Sequence, residues 1–124
     1  MSPPNNRSNE NYFSGLIAEG QAEEILVRRG FCILERRYQA IRGATEGEID
    51  LIARRNNLVV FVEVKKRATI ALAAESVTSR QQQRLYRAAE TYIAAHPALS
   101  SCDCRFDAVL FDAQMKVEYL ENAW

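Results

Sequence analysis

The sequence has few of the side chains on which several kinds of metal and acid–base chemistry depend. Its single histidine, His96, precedes Pro97, so chemistry that needs two histidines is excluded. Its three cysteines, Cys32, Cys102 and Cys104, are odd in number and have no C-x-x-C spacing. They therefore support neither a disulfide framework nor a zinc site.

Long apolar segments are also missing. The longest run of aliphatic and aromatic residues, 58–62, is ended by Glu63, whereas a membrane-spanning helix needs about 20 apolar residues. Residues 1–12 are polar and lack the apolar core of a signal peptide, so we expect a disordered lead-in there. These features predict a cytoplasmic protein without a membrane partner, whose residues 13–124 form one domain.

The net charge is zero, but the charges are unevenly distributed. Lysines and arginines minus acids give −3 over residues 1–27, +7 over residues 28–87 and −4 over residues 88–124. A basic central block is compatible with phosphate binding. The charge alone favours the alternative, in which these are solvated arginines on strand edges and helix faces.

The apolar periodicity and the turn residues predict an α/β protein. Two helices are expected, one over residues 14–29 and one from Thr78 to near His96, where Thr78 begins a capping-box pattern. Five stretches have the composition of strands, and these are residues 31–42, 46–55, 58–67, 104–111 and 115–120. The order α-β-β-β-α-β-β predicts a mixed β-sheet flanked by helices.

The third predicted strand carries an acid and a base at its end. Residues 58–62 are all apolar, as in a central strand, and Glu63 and Lys65 follow on the face that also carries Val59 and Phe61. Ionised groups at the end of such a strand cost desolvation energy unless they have partners.

The turn before this strand supplies a partner. Asn56 and Asn57 are typical of a two-residue turn, because Asn tolerates positive φ. In that register Asp50 lies directly opposite Glu63, with Cβ atoms about 4.5–5.5 Å apart, where like charges repel. Such a pair invites a cation like Mg²⁺, which is commonly held by one or two carboxylates with waters and substrate phosphate.

The same register places Glu48 opposite Lys65. The Lys65 ammonium could then orient a nucleophilic water or stabilise phosphate charge. The alternative is a surface hairpin on which Asp50, Glu63 and Lys65 form a solvated, weakly stabilising charge cluster. A slip by one residue would also move the partners to opposite faces, so spacing alone leaves both readings open.

Asp50 followed by Glu63-Val64-Lys65 resembles the D…E-x-K signature of the restriction-endonuclease-like, or PD-(D/E)xK, nuclease superfamily. The resemblance is closer to the small YraN-like family of predicted endonucleases, which is related in fold to the archaeal Holliday-junction resolvases. It covers residues 15–124. The matching segments are G-x-x-A-E-x-x-A at 15–22, GEIDLIA at 47–53, VFVEVK-x-R at 60–67 and RFD at 105–107.

The resemblance implies a role for each residue of the motif. Asp50 and Glu63 would bind Mg²⁺ or Mn²⁺ together with the carbonyl of Val64, and Lys65 would act on the attacking water. Glu19 would approach from the first helix, where it shares a stripe with core-type residues.

Gln82, Glu48 and Arg67 are weaker candidates. Gln82 and Tyr86 resemble the Q-x-x-x-Y element of some branches of the superfamily, although packing against the sheet explains both residues as well. Glu48 and Arg67 flank the acidic motifs.

The chain also departs from the family pattern. Gln81 stands where the family usually has a lysine, and residues 72–74 replace a stretch that is more glycine-rich and aromatic. These departures concern substrate contacts more than metal binding.

Taken together, the residues and the resemblance predict a divalent-metal-dependent endonuclease that hydrolyses DNA phosphodiester bonds, with branched or structured DNA among the expected substrates. The alternative is a non-catalytic nucleic-acid- or protein-binding module on the same fold. The resemblance also leaves a homodimer open, because the resolvases act as dimers.

Overall fold

A five-stranded mixed sheet forms the centre of the fold. The computed structural model describes residues 6–40 and 48–124, with side chains from residue 13 onward. The strands lie in the order in which they occur along the chain, and they are β1 (Cys32–Gln39), β2 (Glu48–Arg55), β3 (Leu58–Lys66), β4 (Asp103–Phe111) and β5 (Val117–Leu120). All neighbours are antiparallel except β3 and β4, which are parallel.

Helices cover both faces of this sheet. They are α1 (Asn6–Arg28), α2 (Ile70–Glu75) and α3 (Ser79–Ala95), followed by a 3-10 turn (Pro97–Leu99). The parallel pairing of β3 and β4 requires a crossover, which α2 and α3 provide. The predicted fold class, a mixed sheet flanked by helices, is therefore confirmed.

The two faces of the sheet bury separate apolar clusters. Alternate residues of β3 point to opposite faces, so that Val60 and Val62 pack with α1 while Val59 and Phe61 pack with α3. Trp124 packs with the α3 cluster, its ring centroid 5.7 Å from that of Phe106. Both faces of β3 are therefore covered, as the apolar run in the sequence predicted.

Helix α1 packs through small side chains and ends at a glycine. Ala18, Ala22 and Leu26 are spaced one turn apart and are buried. Gly30 has φ +89, and the N–H of the next residue, Phe31, donates to the Leu26 carbonyl at 3.0 Å. This left-handed glycine ends the helix as the sequence predicted.

Helix α3 begins and ends at the predicted residues. The hydroxyl of Thr78 accepts a hydrogen bond from the amide of Gln81 at 3.2 Å, and the helix ends where His96 precedes Pro97. Leu85, Ala89 and Tyr92 are buried on one face. The cap and the apolar stripe together fix which face of α3 meets the sheet.

The structure differs from the predicted elements in two places, at the start of α1 and at α2. Helix α1 begins at Asn6 rather than near Ser14, so the expected disordered lead-in is helical from that residue, while residues 1–5 lie outside the described part. Helix α2 was not predicted, although the Thr69 hydroxyl caps it by accepting from the Leu72 amide at 3.1 Å. The predicted ends of the first two strands fall within residues 41–47, which also lie outside the described part.

No helix in the described ranges, 6–40 and 48–124, is long and apolar enough to cross a membrane.

Candidate metal centre

The two predicted metal ligands come from neighbouring strands of one hairpin. β2 and β3 pair in antiparallel register from the turn as far as Leu51 and Val62. The register predicted from the asparagine turn is thereby confirmed. It brings Asp50 and Glu63, the next residue on each strand, to the same end of the hairpin.

The two strands diverge beyond this point, and the Asp50 side chain bridges the gap. β2 continues pairing with β1 as far as Glu48, whereas β3 continues pairing with β4 as far as Lys66. The amide of Val64, beyond the last pair of the hairpin, donates to Oδ2 of Asp50 at 2.8 Å. The predicted pairing of Glu48 opposite Lys65 is therefore wrong, because the ladder ends before it reaches them.

Asp50 and Glu63 form a pair of neighbouring acids, of which Glu63 is buried and Asp50 is half-buried. Glu63 is 4% exposed, and its Oε2 atom receives no hydrogen bond from the described residues. Burial and the neighbouring Glu63 charge raise the pKa of Asp50 well above its usual range, against the Val64 amide, which lowers it. Burial also raises the pKa of Glu63, although the Lys65 ammonium opposes this rise.

Lys65 lies beside this pair and is held by two residues. Its Nζ atom is 3.3 Å from Oε1 of Glu63, and its side chain is 17% exposed. The amide of Gln81 can be placed so that its oxygen accepts from Nζ at 3.1 Å while its nitrogen donates to the Ser76 carbonyl at 3.2 Å. This orientation satisfies both ends of the amide, whereas the reverse one gives a single long contact with Glu63 at 3.4 Å.

Gln81 is the contact that sequence reasoning missed. It was recognised only as a departure from the family pattern, and its spacing from the capping residue Thr78 gave no reason to place it beside Lys65. Its position depends on how the α2–α3 junction packs against the end of β3.

Glu19 faces the same end of β3 from α1, across an open cleft. This α1–β3 cleft has a volume of about 490 Å³ and is lined by residues 14, 15, 18 and 19 of α1 and residues 64–67. Glu19 acts electrostatically on Asp50. Its Oε2 atom, however, accepts from Nε of Arg37 at 2.9 Å, so Arg37 already neutralises this carboxylate.

The weaker candidates are placed as follows. Glu48 lies near enough to Glu63 to act on it electrostatically, and Arg67 lines the α1–β3 cleft. Gln82 points elsewhere, since its Nε2 atom donates to the Val77 carbonyl at 3.1 Å. Packing therefore accounts for Gln82.

Tyr86 has a packing role as well. Its ring meets that of Phe106 edge-on, with the centroids 4.6 Å apart. The Q-x-x-x-Y element thus lies against the sheet, as its alternative interpretation proposed.

A second buried acid, Asp107, is fully partnered. Arg105 donates to both carboxylate oxygens, at 2.8 and 2.9 Å, and Asn122 donates its backbone amide at 3.0 Å. The Tyr119 hydroxyl also donates to Asp107. With all these donors present, the carboxylate oxygens have no lone pair left for a cation. We therefore assign Asp107 the role of holding β4 and β5 together.

The donor set at Asp50 and Glu63 fits Mg²⁺ or Mn²⁺. Both side chains offer hard oxygen donors, and the buried Oε2 atom of Glu63 has no hydrogen-bond partner in the part of the chain that the structure describes. Within residues 6–40 and 48–124 there is no group of three or more histidine, cysteine or acidic side chains arranged to hold a metal. Mg²⁺ needs only one or two carboxylates, because waters and substrate phosphate complete its shell.

Comparison with known proteins places the chain among a set of bacterial relatives. The model of the uncharacterised protein family UPF0102 matches residues 18–111. The chain is 43% identical over 122 residues to UPF0102 protein amb4503 of Paramagnetospirillum magneticum, which covers 98% of this chain and 95% of the relative.

Two further relatives are similar. The identity is 42% over 122 residues with a UPF0102 protein of Azorhizobium caulinodans, covering 98% of this chain and 90% of the relative. It is 47% over 97 residues with UPF0102 protein bll0669 of Bradyrhizobium diazoefficiens, covering 78% of this chain and 70% of the relative. The matched segment 18–111 contains every residue of the candidate centre.

Proposed function

This chain belongs to the uncharacterised protein family UPF0102, and we propose that it is a divalent-metal-dependent endonuclease that hydrolyses DNA phosphodiester bonds. The observation that carries the proposal is the pair formed by half-buried Asp50 and buried Glu63 at the point where β2 and β3 diverge. A purely structural sheet has no need of two adjacent acids, one of which has a buried oxygen that receives no hydrogen bond from the described residues.

The electrostatics of the pair support a cation there. Two carboxyl groups in contact cannot both ionise easily when burial also disfavours their charged forms. A divalent cation bound by both would allow both to be charged. Asp107 offers the contrast, since it is buried like Glu63 but is satisfied by protein donors and has no such need.

Each residue of the centre would have a separate task. Asp50 and Glu63 would hold Mg²⁺ or Mn²⁺, with the Val64 carbonyl as the ligand that the nuclease resemblance implies. The bound ion would supply charge neutralisation at the scissile phosphate and lower the pKa of a water. Lys65, held between Glu63 and Gln81, would orient that water or stabilise the charge developing on phosphate oxygens.

The order of the motif along the chain is consistent with this use. Asp50 comes from β2, Glu63 and Lys65 from β3, and the α1–β3 cleft opens beside them. Two residues that line this cleft, Val64 and Lys65, directly follow Glu63. The proposal also includes DNA as the partner, a cytoplasmic location and a homodimer. Each of these needs a measurement of its own.

The decisive experiment is a cleavage assay with purified protein. We expect cutting of at least one form among linear duplex, single-stranded, flapped and four-way DNA in millimolar Mn²⁺ or Mg²⁺, and none in the presence of a chelator. Asp50→Asn and Glu63→Gln should be inactive while still folded. Asp103→Asn, a change at an exposed acid of β4, is the matched control and should cut as the wild type does.

The binding-module alternative has its own outcome in this assay. If no DNA form is cut with either metal but DNA is still bound, the protein is a non-catalytic nucleic-acid-binding module. Sedimentation over a range of protein concentrations tests the homodimer independently of cleavage.

A further inference from the structure

Next to the candidate metal centre, the α1–β3 cleft carries two cations that the proposed chemistry does not use. They are Lys66 and Arg67, which follow Lys65 directly and line the cleft together with Ser14 of α1. Alternation along β3 sends Lys66 toward the α1 face, whereas Glu63 and Lys65 belong to the opposite face. Lys66 thus points away from the Lys65 ammonium, and Arg67 lies just beyond the end of β3.

The Lys66 ammonium is fixed in the cleft but keeps most of its donors. Nζ donates to Oγ of Ser14 at 2.7 Å. An ammonium has three N–H donors, so two remain for a ligand. The Ser14 hydroxyl can itself donate to an anion, because it accepts from Lys66.

Arg67 is held in a similar way. Its Nη1 atom donates to the Lys66 carbonyl at 2.7 Å, and its backbone amide donates to the Phe111 carbonyl at 3.1 Å. A guanidinium has five donors, and its planar fork matches the oxygens of a phosphate. Its side chain is exposed.

Neither cation is neutralised by a carboxylate of the described residues, whose ion pairs involve other side chains. Among the described residues, Glu19 is the one acid that lines the same cleft, and it is bound by Arg37. The described lining of the cleft therefore carries a local positive charge, even though the net charge of the whole chain is zero.

We propose that the α1–β3 cleft binds the phosphodiester backbone of the nucleic acid next to the scissile phosphate, through Lys66, Arg67 and the Ser14 hydroxyl. This inference rests on the proposed function for its choice of ligand. Val64 and Lys65 connect the two sites, since both line the cleft and both adjoin Glu63. A strand with one phosphate at the acid pair would place a neighbouring phosphate in the cleft.

The test measures binding rather than cleavage. The dissociation constant of a fluorescently labelled duplex is determined by anisotropy, in a chelator, over a series of salt concentrations. Each protein–phosphate contact contributes about 0.9 to the slope of log affinity against log salt for duplex DNA. Lys66→Ala with Arg67→Ala should therefore lower the slope by about 2 and weaken binding by about tenfold or more at low salt.

A double variant with the same change in net charge is the control. Arg28, at the end of α1, and Arg54, beside the β2–β3 turn, lie at the opposite end of the molecule, where Arg55 contacts the Arg29 carbonyl. Arg28→Ala with Arg54→Ala should keep the wild-type slope. Ser14→Ala should weaken binding without changing the slope of log affinity against log salt. The variant removes the hydrogen bond that positions the Lys66 ammonium but leaves the charge of that ammonium in place.

The outcomes separate this inference from the proposed function. If the wild type binds DNA but the Lys66 and Arg67 variant has the same slope, the cleft is not a phosphate site, whatever the cleavage assay shows. Equal losses in both double variants would also overturn it, since only overall charge would matter. If the wild type binds but never cuts, and the slope falls as expected, the inference stands and the nuclease proposal fails. A wild type that binds no DNA overturns both.

Discussion

Asp50 has two roles that one substitution can separate. Its Oδ2 atom accepts from the Val64 amide, and its charge repels that of Glu63. Asp50→Asn keeps an oxygen for the amide and removes the charge. We therefore expect the metal-free variant to melt at or above the temperature of the metal-free wild type.

The same variant should lose the stabilisation that a metal provides. At ten times its dissociation constant, a cation that binds only the native state adds about 1.4 kcal/mol, which raises Tm by roughly 5 °C in a domain of this size. Thermal unfolding with and without Mn²⁺ should show that rise in the wild type and little of it in Asp50→Asn. A wild type whose Tm ignores millimolar Mn²⁺ and Mg²⁺ would contradict the metal site.

Lys65 and Gln81 should affect rate but not metal binding. Lys65→Ala removes the ammonium, and we expect cleavage to fall by about 100-fold or more while Mn²⁺ still raises Tm. Gln81→Ala leaves the ammonium but removes its anchor to the Ser76 carbonyl, so kcat should fall by about tenfold with KM unchanged. A Gln81 variant with wild-type kcat would show that Glu63 alone positions Lys65.

The sequence predicted those site contacts that arise within one hairpin, and it missed those that depend on the packing of distant elements. Asp50 and Glu63 were brought together by strand alternation and one two-residue turn, both of which are visible in the sequence. Gln81 contacts Lys65 only through the packing of α2 and α3, which no local pattern encodes. The pairing of Glu19 with Arg37 was hidden too, since Arg37 has φ 52 and departs from regular strand geometry.

At the scale of elements, the turn between β2 and β3 sets the register that creates the centre. Asn56 has φ 51. Asparagine tolerates this left-handed conformation, whereas most other residues except glycine avoid it. Asn56→Ala should cost about 1 kcal/mol, measured by urea unfolding, whereas Asn56→Gly should be nearly neutral. If alanine and glycine were equivalent, the turn conformation would not be what limits stability.

The stability of the β4–β5 pair depends on the hydrogen bonds that Asp107 accepts. Removing a buried acid that receives hydrogen bonds from Arg105, Tyr119 and Asn122 leaves several buried donors without an acceptor. Asp107→Ala should therefore cost about 3–5 kcal/mol in urea unfolding. Asp103→Ala, at an exposed acid of the same strand, should stay within about 0.5 kcal/mol of the wild type.

Among the elements, those with strong periodicity were predicted and the short ones were not. β3 and α3 were found because their apolar patterns extend over most of their length. Helix α2 has six residues, too few to show a repeat, although Thr69 before an apolar segment is a capping signal that could have revealed it. The start of α1 was missed because its polar first residues look like a lead-in.

For the whole molecule, the metal should be dispensable for folding. The buried core consists of apolar clusters on the two faces of the sheet, and neither cluster includes Asp50 or Glu63. Stripping the protein with a chelator should therefore leave the far-ultraviolet circular dichroism spectrum unchanged and lower Tm only by the binding contribution. Loss of the spectrum on stripping would mean that a cation has a structural role.

Trp124 is the sequence's single tryptophan, and it makes the α3 side of the sheet optically distinct. Its indole lies against Phe106 and beside Ala108 and Leu110, so its emission comes from one known place. When Trp124 is excited at the red edge of its absorption, where nucleotides absorb little, its emission reports on the surroundings of the indole even in the presence of DNA. A shift of the emission below the global melting temperature would reveal that the last residues detach from β4 first. An emission change that coincides with the loss of circular dichroism would show that they unfold with the sheet.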